Sequence, residues 1–291
     1  MCARTPRPRR EDRLNNPYLL DLPAVVSFSG GRTSGFMLHH ILEALGGQPD
    51  NLKVCFQNTG LEHPATYDFI QEVSERWSLD IVWTEYCVND EGDHAYRIVN
   101  YETASRNGEP FTALIQKRQM LPTPVARICT VMLKMRTLDR YLKTLPEFVD
   151  GYTNAVGLRY DEPRRATRLK PDNPREEMSV PMYRAEHTND DVLAFWKAQD
   201  FDLQLPWGNN LWGNCEGCFL KSKGKIELIA EENPSALEWW KNAEESMVGV
   251  MDTPRFRLDR PSYANILKQV REQGRLFGDE DDDTIPCFCT D

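Results

Sequence analysis

Two pairs of cysteines have the spacing of metal ligands. Cys215 and Cys218 form a C-x-x-C with Gly217 in the turn, and Cys287 and Cys289 form a C-x-C near the end of the sequence. Because thiolates are soft donors, closely spaced pairs that are joined by distant cysteines suit tetrahedral zinc or an iron–sulfur cluster. A C-x-x-C is also compatible with a redox dithiol or with two buried thiols.

A glycine-containing segment has the composition of an anion-binding turn. Residues 27–34 read Ser-Phe-Ser-Gly-Gly-Arg-Thr-Ser and lie between an apolar run and a helical pattern. Gly30 and Gly31 let the backbone approach a ligand, while Ser29, Thr33 and Ser34 add hydroxyl donors. Since backbone amides and the positive end of a helix meet there, the segment predicts phosphate binding. It matches neither the Walker loop nor G-x-G-x-x-G, and an ordinary strand-to-helix turn would also use two glycines.

Four arginines follow a predicted strand near residue 158: Arg159, Arg164, Arg165 and Arg168. Ligands of open α/β sheets bind at the carboxyl ends of the strands, and guanidinium groups bind phosphate or sulfate. The cluster therefore indicates an anion site. The alternative is a set of solvated arginines on a loop.

These residues need a sheet to position them. Apolar runs predict five strands, at residues 24–28, 52–56, 81–84, 154–158 and 179–182, with helical patterns between them. Strands that alternate with helices favour parallel pairing. We therefore expect an α/β fold with a five-stranded parallel sheet flanked by helices, of the Rossmann-like type, and a helical C-terminal part that contains the C-x-x-C. The polar residues 88–110 predict an irregular, functional loop.

The composition excludes several classes of protein. A hydrophobic content of 40% in 291 residues is enough for a core. No run of eighteen apolar residues occurs, and Asp21 and Pro23 interrupt the apolar residues 19–28, so we expect a cytoplasmic protein with no membrane segment and no disulfide framework. The net charge of −10 argues against nonspecific adhesion to nucleic acid, although a local basic patch stays open.

Several motifs, taken in order, carry a resemblance to a known family. The glycine loop resembles the S-G-G-x-x-S motif of the PP-loop superfamily, the adenine nucleotide α-hydrolase-like proteins. Residues 56–60, Phe-Gln-Asn-Thr-Gly, are similar to a D-T-G segment, residues 127–134 to R-x-C-T/C-x-x-x-K, and residues 157–165 to G-x-R-x-x-E-S-x-x-R. The ordered set covers about residues 24–230 and is most similar to the phosphoadenosine and adenosine phosphosulfate reductase family.

The resemblance implies an adenine nucleotide, either a phosphosulfate or ATP, and a set of residues that hold it. That set is Ser27, Ser29, Gly30, Gly31, Arg32, Thr33, Ser34, Asn58, Thr59, Gly60, Gly157, Arg159 and Arg164. It also implies that Arg159 and Arg165 contact the leaving sulfate or phosphate. Thr33 stands where ATP-splitting relatives carry an aspartate that contacts magnesium, and Asn58 replaces the aspartate of D-T-G. Mg²⁺ is therefore expected only together with ATP.

The resemblance also implies a four-iron, four-sulfur cluster. Cys129, Cys215 and Cys218 match the family's cysteine positions, whereas Thr130 replaces the second member of its Cys-Cys pair. The fourth ligand is then Cys287 or Cys289, or the fourth iron stays open and could carry a sulfide. Zinc is the alternative metal.

Cys287 and Cys289 have a second interpretation, as nucleophiles. In the reductases a cysteine near the C-terminus attacks the sulfonate sulfur and is freed by thioredoxin or glutathione. The Glu-Cys-Gly motif of those enzymes is absent here, so the role rests on position. The acidic residues 279–283 oppose thiolate formation, and a tail without function is the alternative.

The motifs and composition shifts suggest four segments. These are a flexible basic arm at residues 1–17, a PP-loop nucleotide-binding α/β domain at 18–205, a C-x-x-C loop with helices at 206–278, and an acidic tail with the C-x-C at 279–291. The favoured function is an oxidoreductase of the phosphosulfate reductase type. ATP-dependent thiolation of nucleic acid, in which the arm touches phosphates, and a non-enzymatic nucleotide-binding or redox-sensing module are the alternatives.

Overall fold

The computed structural model describes residues 16–206 and 211–274. Most of the basic arm and the acidic tail, including Cys287 and Cys289, lie outside the described residues. The predictions for those segments therefore stay predictions.

One mainly parallel sheet organises the described chain. Its strands are β1 (Ala24–Ser27), β2 (Leu52–Asn58), β3 (Ile81–Val88), β4 (His94–Val99), β5 (Tyr152–Val156) and β6 (Glu176–Ser179). They lie in the order β4-β3-β2-β1-β5-β6, and all neighbours are parallel except β3 and β4. The α/β class with a parallel core is confirmed. The carboxyl ends of β1, β2 and β5 meet at one edge of the sheet.

The expectation of five strands was wrong, because the sheet has six. Residues 88–110 are not an irregular loop throughout: β4 pairs antiparallel with β3, with Thr84 opposite Ile98. Since β4 is an edge strand that exposes Arg97 and Ile98, it lacks the buried apolar run by which central strands are recognised. The last strand also ends earlier than expected, because Pro181 begins a helix where strand was predicted.

Helices cover both faces of the sheet and form the C-terminal part. The α-helices are α1 (Arg32–Leu45), α2 (Pro64–Arg76), α3 (Glu109–Arg118), α4 (Arg136–Leu142), α5 (Pro163–Ala166), α6 (Pro181–Arg184), α7 (Asn189–Ala198), α8 (Lys223–Glu232), α9 (Glu238–Ser246) and α10 (Tyr263–Gln273). A π-helical segment, Thr130–Met135, leads directly into α4, and short 3₁₀ turns occupy Pro146–Phe148 and Pro234–Leu237. No helix of the described residues is long and apolar enough to span a membrane.

Alternate residues of each strand face different hydrophobic clusters. Val26 and Phe56 belong to a large cluster with α1, α2 and α7, whereas Val25 and Cys55 face Leu138 on α4. A separate cluster joins α3 to the C-terminal helices. The edge formed by the carboxyl ends of β1, β2 and β5 thus lies next to both the α4 face and the C-terminal helices.

Candidate functional site

The glycine loop joins β1 to α1 in a conformation that requires glycine. Gly30 has φ of +78°, and a Cβ atom there would lie 2.7 Å from side-chain carbons of Thr66 and Ile70. The Ser34 hydroxyl accepts from the Ser29 amide at 3.3 Å and lies 2.9 Å from the Ser29 hydroxyl. Gly31 is the N-cap of α1 and provides no side chain, so the first amides of the helix are available to an anion.

The end of β5 closes against this loop. A Cβ on Gly157 would lie 3.3 Å from the Ser34 Cα, so glycine allows the close approach of the two chains. Ser27, the last residue of β1, donates to Asn154 Oδ1 at 2.8 Å. Arg159 Nη1 then donates to Thr33 Oγ1 at 3.0 Å. The structure therefore brings the arginine segment to the N-terminus of α1.

A carboxylate that sequence reasoning did not single out holds two of the arginines together. Glu162 accepts from the Arg159 amide at 3.1 Å, lies 3.7 Å from Arg159 Nη2, and is hydrogen-bonded to Arg165 Nη1. The side chains of Arg159 and Arg165 are only 12% and 11% exposed. Arg164, by contrast, is exposed. The glutamate of the G-x-R-x-x-E pattern was the available signal for Glu162.

The Arg32 side chain contacts other residues of the protein and not the ligand that the motif implies. Its guanidinium makes a bidentate pair with Asp202, with distances of 2.7 and 2.9 Å, and donates to the Leu203 carbonyl at 2.7 Å. The Arg32 carbonyl accepts from the Trp196 indole at 2.8 Å. These contacts hold the start of α1 against α7 and the residues that follow α7.

Both donor and both acceptor positions of the Asn58 side chain are used by hydrogen bonds inside the protein. Its Nδ2 donates to Glu85 Oε1 at 2.6 Å and to the Ser105 carbonyl at 2.8 Å, and its Oδ1 accepts from the Gly60 amide at 2.9 Å and the Tyr67 hydroxyl at 3.0 Å. Glu85 is completely buried. An aspartate at position 58 would place a second carboxylate against Glu85, so the amide here is a structural requirement of this chain.

A cavity of about 300 Å³ opens beside the glycine loop, on the α4 face of the sheet. Its apolar wall includes Val131, Met135, Leu138, Val156, Leu169 and Met178. Its polar lining consists of Ser27, Ser29, Gln57, Thr130, Asn154 and Glu176, together with four basic residues, Arg127, Lys134, Arg168 and Lys170. Such a mixture of apolar walls and few convergent polar groups is typical of a small-ligand site. Several of these residues, among them Asn154, Glu176 and Met178, lie in no motif, so the sequence alone did not reveal them.

The C-x-x-C lies in a loop, residues 215–221, that docks on the turn after β2. Cys215 forms an isolated antiparallel bridge with Glu62, and the Glu216 amide donates to the Leu61 carbonyl at 2.9 Å. The Thr59 hydroxyl lies 3.4 Å from Cys215 Sγ and donates to Glu62 Oε1 at 2.8 Å. The predicted nucleotide segment 58–60 and the predicted metal ligand Cys215 are therefore in direct contact.

The C-terminal helices fix this cysteine loop from the other side. Arg260, only 6% exposed, donates to the carbonyls of Lys221 and Phe219 at 2.9 Å each. The Tyr263 hydroxyl donates to the Gly217 carbonyl at 2.6 Å. A Cβ on Gly217 would lie 2.3 Å from Trp240 Cδ1, so glycine is required for the close packing. Spacing alone could not reveal Arg260, because its partners lie about forty residues earlier.

The three cysteines implied as ligands share one neighbourhood. Cys215 belongs to the hydrophobic cluster of the C-terminal helices, and Cys129 and Cys218 pack against the same cluster. Cys129 precedes the π-helical segment that leads into α4. The soft donor set fits an iron–sulfur cluster or zinc. A different set of ligand atoms, from His39, His40 and Glu43 on α1, lies within 4.8 Å, but Glu43 already pairs with both imidazoles.

Burial changes the acidity of the cysteine loop. Desolvation raises the pKa of Glu216 to about 7, with a further increase from Glu62 and an opposing effect from Lys221. His63 Nε2 lies 3.8 Å from Glu216 Oε1, and burial lowers the pKa of His63. The loop thus contains one carboxyl group, Glu216, with a pKa near neutral pH.

Comparison with known proteins decides the family. Residues 23–179 match the phosphoadenosine phosphosulfate reductase domain. The chain belongs to the phosphoadenosine phosphosulfate reductase family. It is also 33% identical over 214 residues to an uncharacterized nin region protein, ORF290, of Escherichia phage lambda, and this match covers 72% of the chain and 69% of the relative. The resemblance expected from the ordered motifs is therefore confirmed.

Solved structures with low sequence identity are also similar to this family member. A U34-tRNA thiolase from Methanococcus maripaludis, solved with its 4Fe-4S cluster, is 15% identical with a TM-score of 0.41, covering 90% of this chain and 76% of the thiolase. A phosphoadenylyl-sulfate reductase from Candida auris, solved with phosphate, is 16% identical with a TM-score of 0.38, covering 66% and 88%. An NH₃-dependent NAD synthetase from Campylobacter jejuni is 13% identical with a TM-score of 0.37, covering 92% of both chains.

Proposed function

We propose that the protein is a phosphosulfate-reductase-like enzyme that binds an adenine nucleotide at the glycine loop and carries out sulfur chemistry beside the cysteine loop. The observation that carries the proposal is the contact between Thr59 and Cys215, at 3.4 Å. Thr59 lies in the segment that the family resemblance assigns to the nucleotide, and Cys215 in the segment that it assigns to the metal. The contact supports a function in which nucleotide binding and sulfur chemistry are neighbours.

The polar groups of the site favour a phosphosulfate over magnesium-bound ATP. Thr33 replaces the aspartate that would contact magnesium, and its hydroxyl accepts from Arg159. The nearby carboxylate of Glu162 is already paired with Arg159 and Arg165. Because a phosphosulfate needs cationic donors and no metal bridge, an arginine pair is the better match to its charge.

The chain's residues then have the following roles. Amides of the glycine loop and of the start of α1 hold the phosphate, while Arg159 and Arg165 stabilise charge on the leaving group. A thiolate, from Cys287 or Cys289, attacks the sulfonate sulfur, and the sulfur–oxygen bond breaks with its electron pair on the adenosine phosphate. A thiol donor, thioredoxin or glutathione, then releases sulfite by forming a disulfide with that cysteine.

The cysteine neighbourhood would hold the iron–sulfur cluster. Cys129, Cys215 and Cys218 are the proposed ligands, with Cys287 or Cys289 as the fourth. When bound, a cluster would supply redox capacity next to the substrate. The Thr59 hydroxyl, which donates to Glu62 Oε1, lies 3.4 Å from Cys215 Sγ and packs against that sulfur.

The proposal is tested by product analysis of anaerobically purified protein. Adenosine phosphosulfate, its 3′-phosphorylated form and ATP are each incubated with the protein and a thioredoxin system, and ATP also with RNA and sulfide. Sulfite, AMP, pyrophosphate and thiolated RNA are measured. We expect sulfite from a phosphosulfate, loss of sulfite in Arg159→Ala, and retention in Arg271→Ala, an exposed arginine on α10. Pyrophosphate and AMP from ATP, with a thiolated nucleic acid, would instead establish sulfur transfer. If none of these products forms, the proposal that the protein is an enzyme is wrong.

A further inference from the structure

Three of the five histidines in the chain come together on a patch that no motif explains. His39 and His40 are consecutive residues of α1, and the ring of His187 lies 5.6 Å from that of His40. Glu43 follows on the next turn of α1, where side chains three and four positions apart are neighbours. His187 Nδ1 is hydrogen-bonded to the Tyr18 hydroxyl at 2.6 Å, so the candidate ligands are His39, His40 and Glu43.

The donor atoms of these three side chains lie close enough to share one ion. Glu43 Oε2 is 3.4 Å from His39 Nδ1 and 3.1 Å from His40 Nδ1, and the ligand atoms all lie within 4.8 Å of one another. Donors that bind a tetrahedral zinc ion at about 2.0–2.1 Å are separated from each other by about 3.4 Å. The set therefore needs only a small displacement of the two imidazoles to enclose an ion.

One of the donor atoms has no other use in the protein. His39 Nδ1 is buried, yet it has no hydrogen-bond partner in the part of the chain that the structure describes. His40 Nδ1, by contrast, is hydrogen-bonded to Glu43 Oε2. Because buried ring nitrogens are normally paired, an unpaired one beside a carboxylate indicates a position for a bound ion. The pairing of Glu43 with the imidazoles does not oppose this, since a metal ion takes the place of the shared proton.

Burial keeps His40 in the protonation state that binds metals. Desolvation is the main reason that the pKa of His40 is lowered, and His39 and His187 add to this shift while Glu43 opposes it. A neutral imidazole has a free lone pair on one ring nitrogen, which the protonated ring lacks. His40 is therefore a competent ligand at neutral pH.

Aromatic side chains limit the motion of both imidazoles. The ring of His39 lies 4.9 Å from that of Phe195 and 5.3 Å from that of Trp77. The ring of His40 lies 4.4 Å from that of Phe36. Side chains that are already held in place lose less conformational entropy when they bind a ligand. The packing therefore favours ion binding by these two rings.

We propose that His39, His40 and Glu43 form a binding site for a divalent transition-metal ion of the zinc class. Two imidazoles and one carboxylate are a donor set that Zn²⁺ accepts, with a fourth position left to water. Mg²⁺ and Ca²⁺ prefer oxygen ligands and should not compete. The site shares no residue with the glycine loop or the cysteine loop, so it is independent of the proposed function.

Cobalt titration of the full-length protein, purified anaerobically, tests the proposal. Co²⁺ takes the ligands of Zn²⁺ and absorbs visible light, and thiolate ligands add a sulfur-to-cobalt charge-transfer band that imidazole and carboxylate ligands do not give. This band separates the site from the cysteine loop. We expect wild-type protein to bind one equivalent of Co²⁺ that lacks the band and that Zn²⁺, but not Mg²⁺, displaces.

Two substitutions should remove this equivalent of Co²⁺. His39→Gln and Glu43→Gln each delete one ligand. Each should weaken the binding at least about tenfold, since loss of even the hydrogen-bond partners of metal ligands costs about 10–100-fold. Glu75→Gln, which changes an exposed carboxylate on α2, is the matched control and should bind Co²⁺ like wild type. AMP affinity should not change in any of these variants.

A third variant converts a ligand into a spectroscopic signal. In His40→Cys the sulfur replaces Nδ1 at a similar distance from the backbone, and zinc-class ions accept thiolates. Bound Co²⁺ should therefore gain charge-transfer absorption that wild-type protein lacks at this site.

The proposal is wrong if His39→Gln and Glu43→Gln bind Co²⁺ like wild type, or if all Co²⁺ bound by wild type shows the charge-transfer band. It is also wrong if His40→Cys gains no such absorption. Displacement of Co²⁺ by an equal concentration of Mg²⁺ would contradict a zinc-class site.

Discussion

The glycine loop and the cysteine loop are built in different ways. The glycine loop takes its shape from backbone conformation at the end of a strand, with Gly30 at positive φ and Gly31 as the helix cap. The cysteine loop takes its shape from side chains of distant segments, among them Glu62, Trp240 and Arg260. Local sequence can therefore encode the first region, whereas the second depends on the assembly of the C-terminal helices.

Because the two regions are built differently, we expect substitutions in each of them to have different effects. A change in the glycine loop should remove ligand binding while the remaining fold stays largely in place. A change in the cysteine loop should loosen the hydrophobic cluster of the C-terminal helices and the cysteine site together. Thr59, in the turn after β2, contacts Cys215, so a change in the cysteine loop should also affect the predicted nucleotide segment 58–60.

The largest effect is expected for Gly30→Ala. A non-glycine residue at φ of +78° is strained, and its Cβ would lie 2.7 Å from Thr66 and Ile70, so the loop must move. Displacement of two amide donors, each worth about 1.5–3 kcal/mol to a charged group, predicts at least a 100-fold loss of AMP affinity by calorimetry. Gly213→Ala has open space around its Cβ and should bind like wild type. Binding of AMP by Gly30→Ala within threefold of wild type would show that the loop does not hold the nucleotide.

Gly217→Ala tests the cysteine loop. Its Cβ would lie 2.3 Å from Trp240, which is 1% exposed and cannot move aside, so overpacking should lower the free energy of unfolding by about 1–3 kcal/mol. Urea denaturation measures this loss, and iron and zinc analysis should show reduced metal in the variant. AMP affinity should stay within about threefold. Loss of AMP binding equal to that of Gly30→Ala would mean that the two regions form one unit.

For the same reason, the sequence predicts the glycine loop better than it predicts the cysteine loop. Short motifs and apolar runs located the glycine loop and the arginine segment, because parallel strands bring their carboxyl ends to one edge. The same reasoning missed β4, an edge strand with few buried residues. It also could not reveal that Arg32 pairs with Asp202, 170 residues away, or that Arg260 holds the cysteine loop. Such contacts depend on tertiary packing, which a local sequence pattern does not predict.

Arg159→Lys should give an intermediate effect confined to the glycine-loop side. Lysine keeps the charge but loses the fork that reaches Thr33 and Asp161, so positioning rather than charge is removed. We expect about tenfold weaker binding of adenosine phosphosulfate, in the range for one charge-assisted hydrogen bond. Arg184→Lys, an exposed position on α6, serves as the control. Unchanged binding in Arg159→Lys would assign Arg159 to structure alone, and a matching loss of metal would contradict the independence of the two regions.

The smallest effect is expected at His94, on the edge strand β4. His94 lies on β4, its ring lies 4.7 Å from that of Tyr86 in the C-terminal cluster, and its pKa is lowered to about 4 by burial and by Arg140, Arg118 and Arg136. A depressed histidine pKa means that the folded protein binds fewer protons than the unfolded chain. Its stabilisation is therefore present above pH 6.5 and is lost as the pH falls toward 4. Because the ring is partly solvated, we expect the loss to be only about 1 kcal/mol. Urea denaturation between pH 7 and pH 4.5 should show a flatter profile in His94→Gln than in wild type, and parallel profiles would show that His94 does not cause this pH dependence.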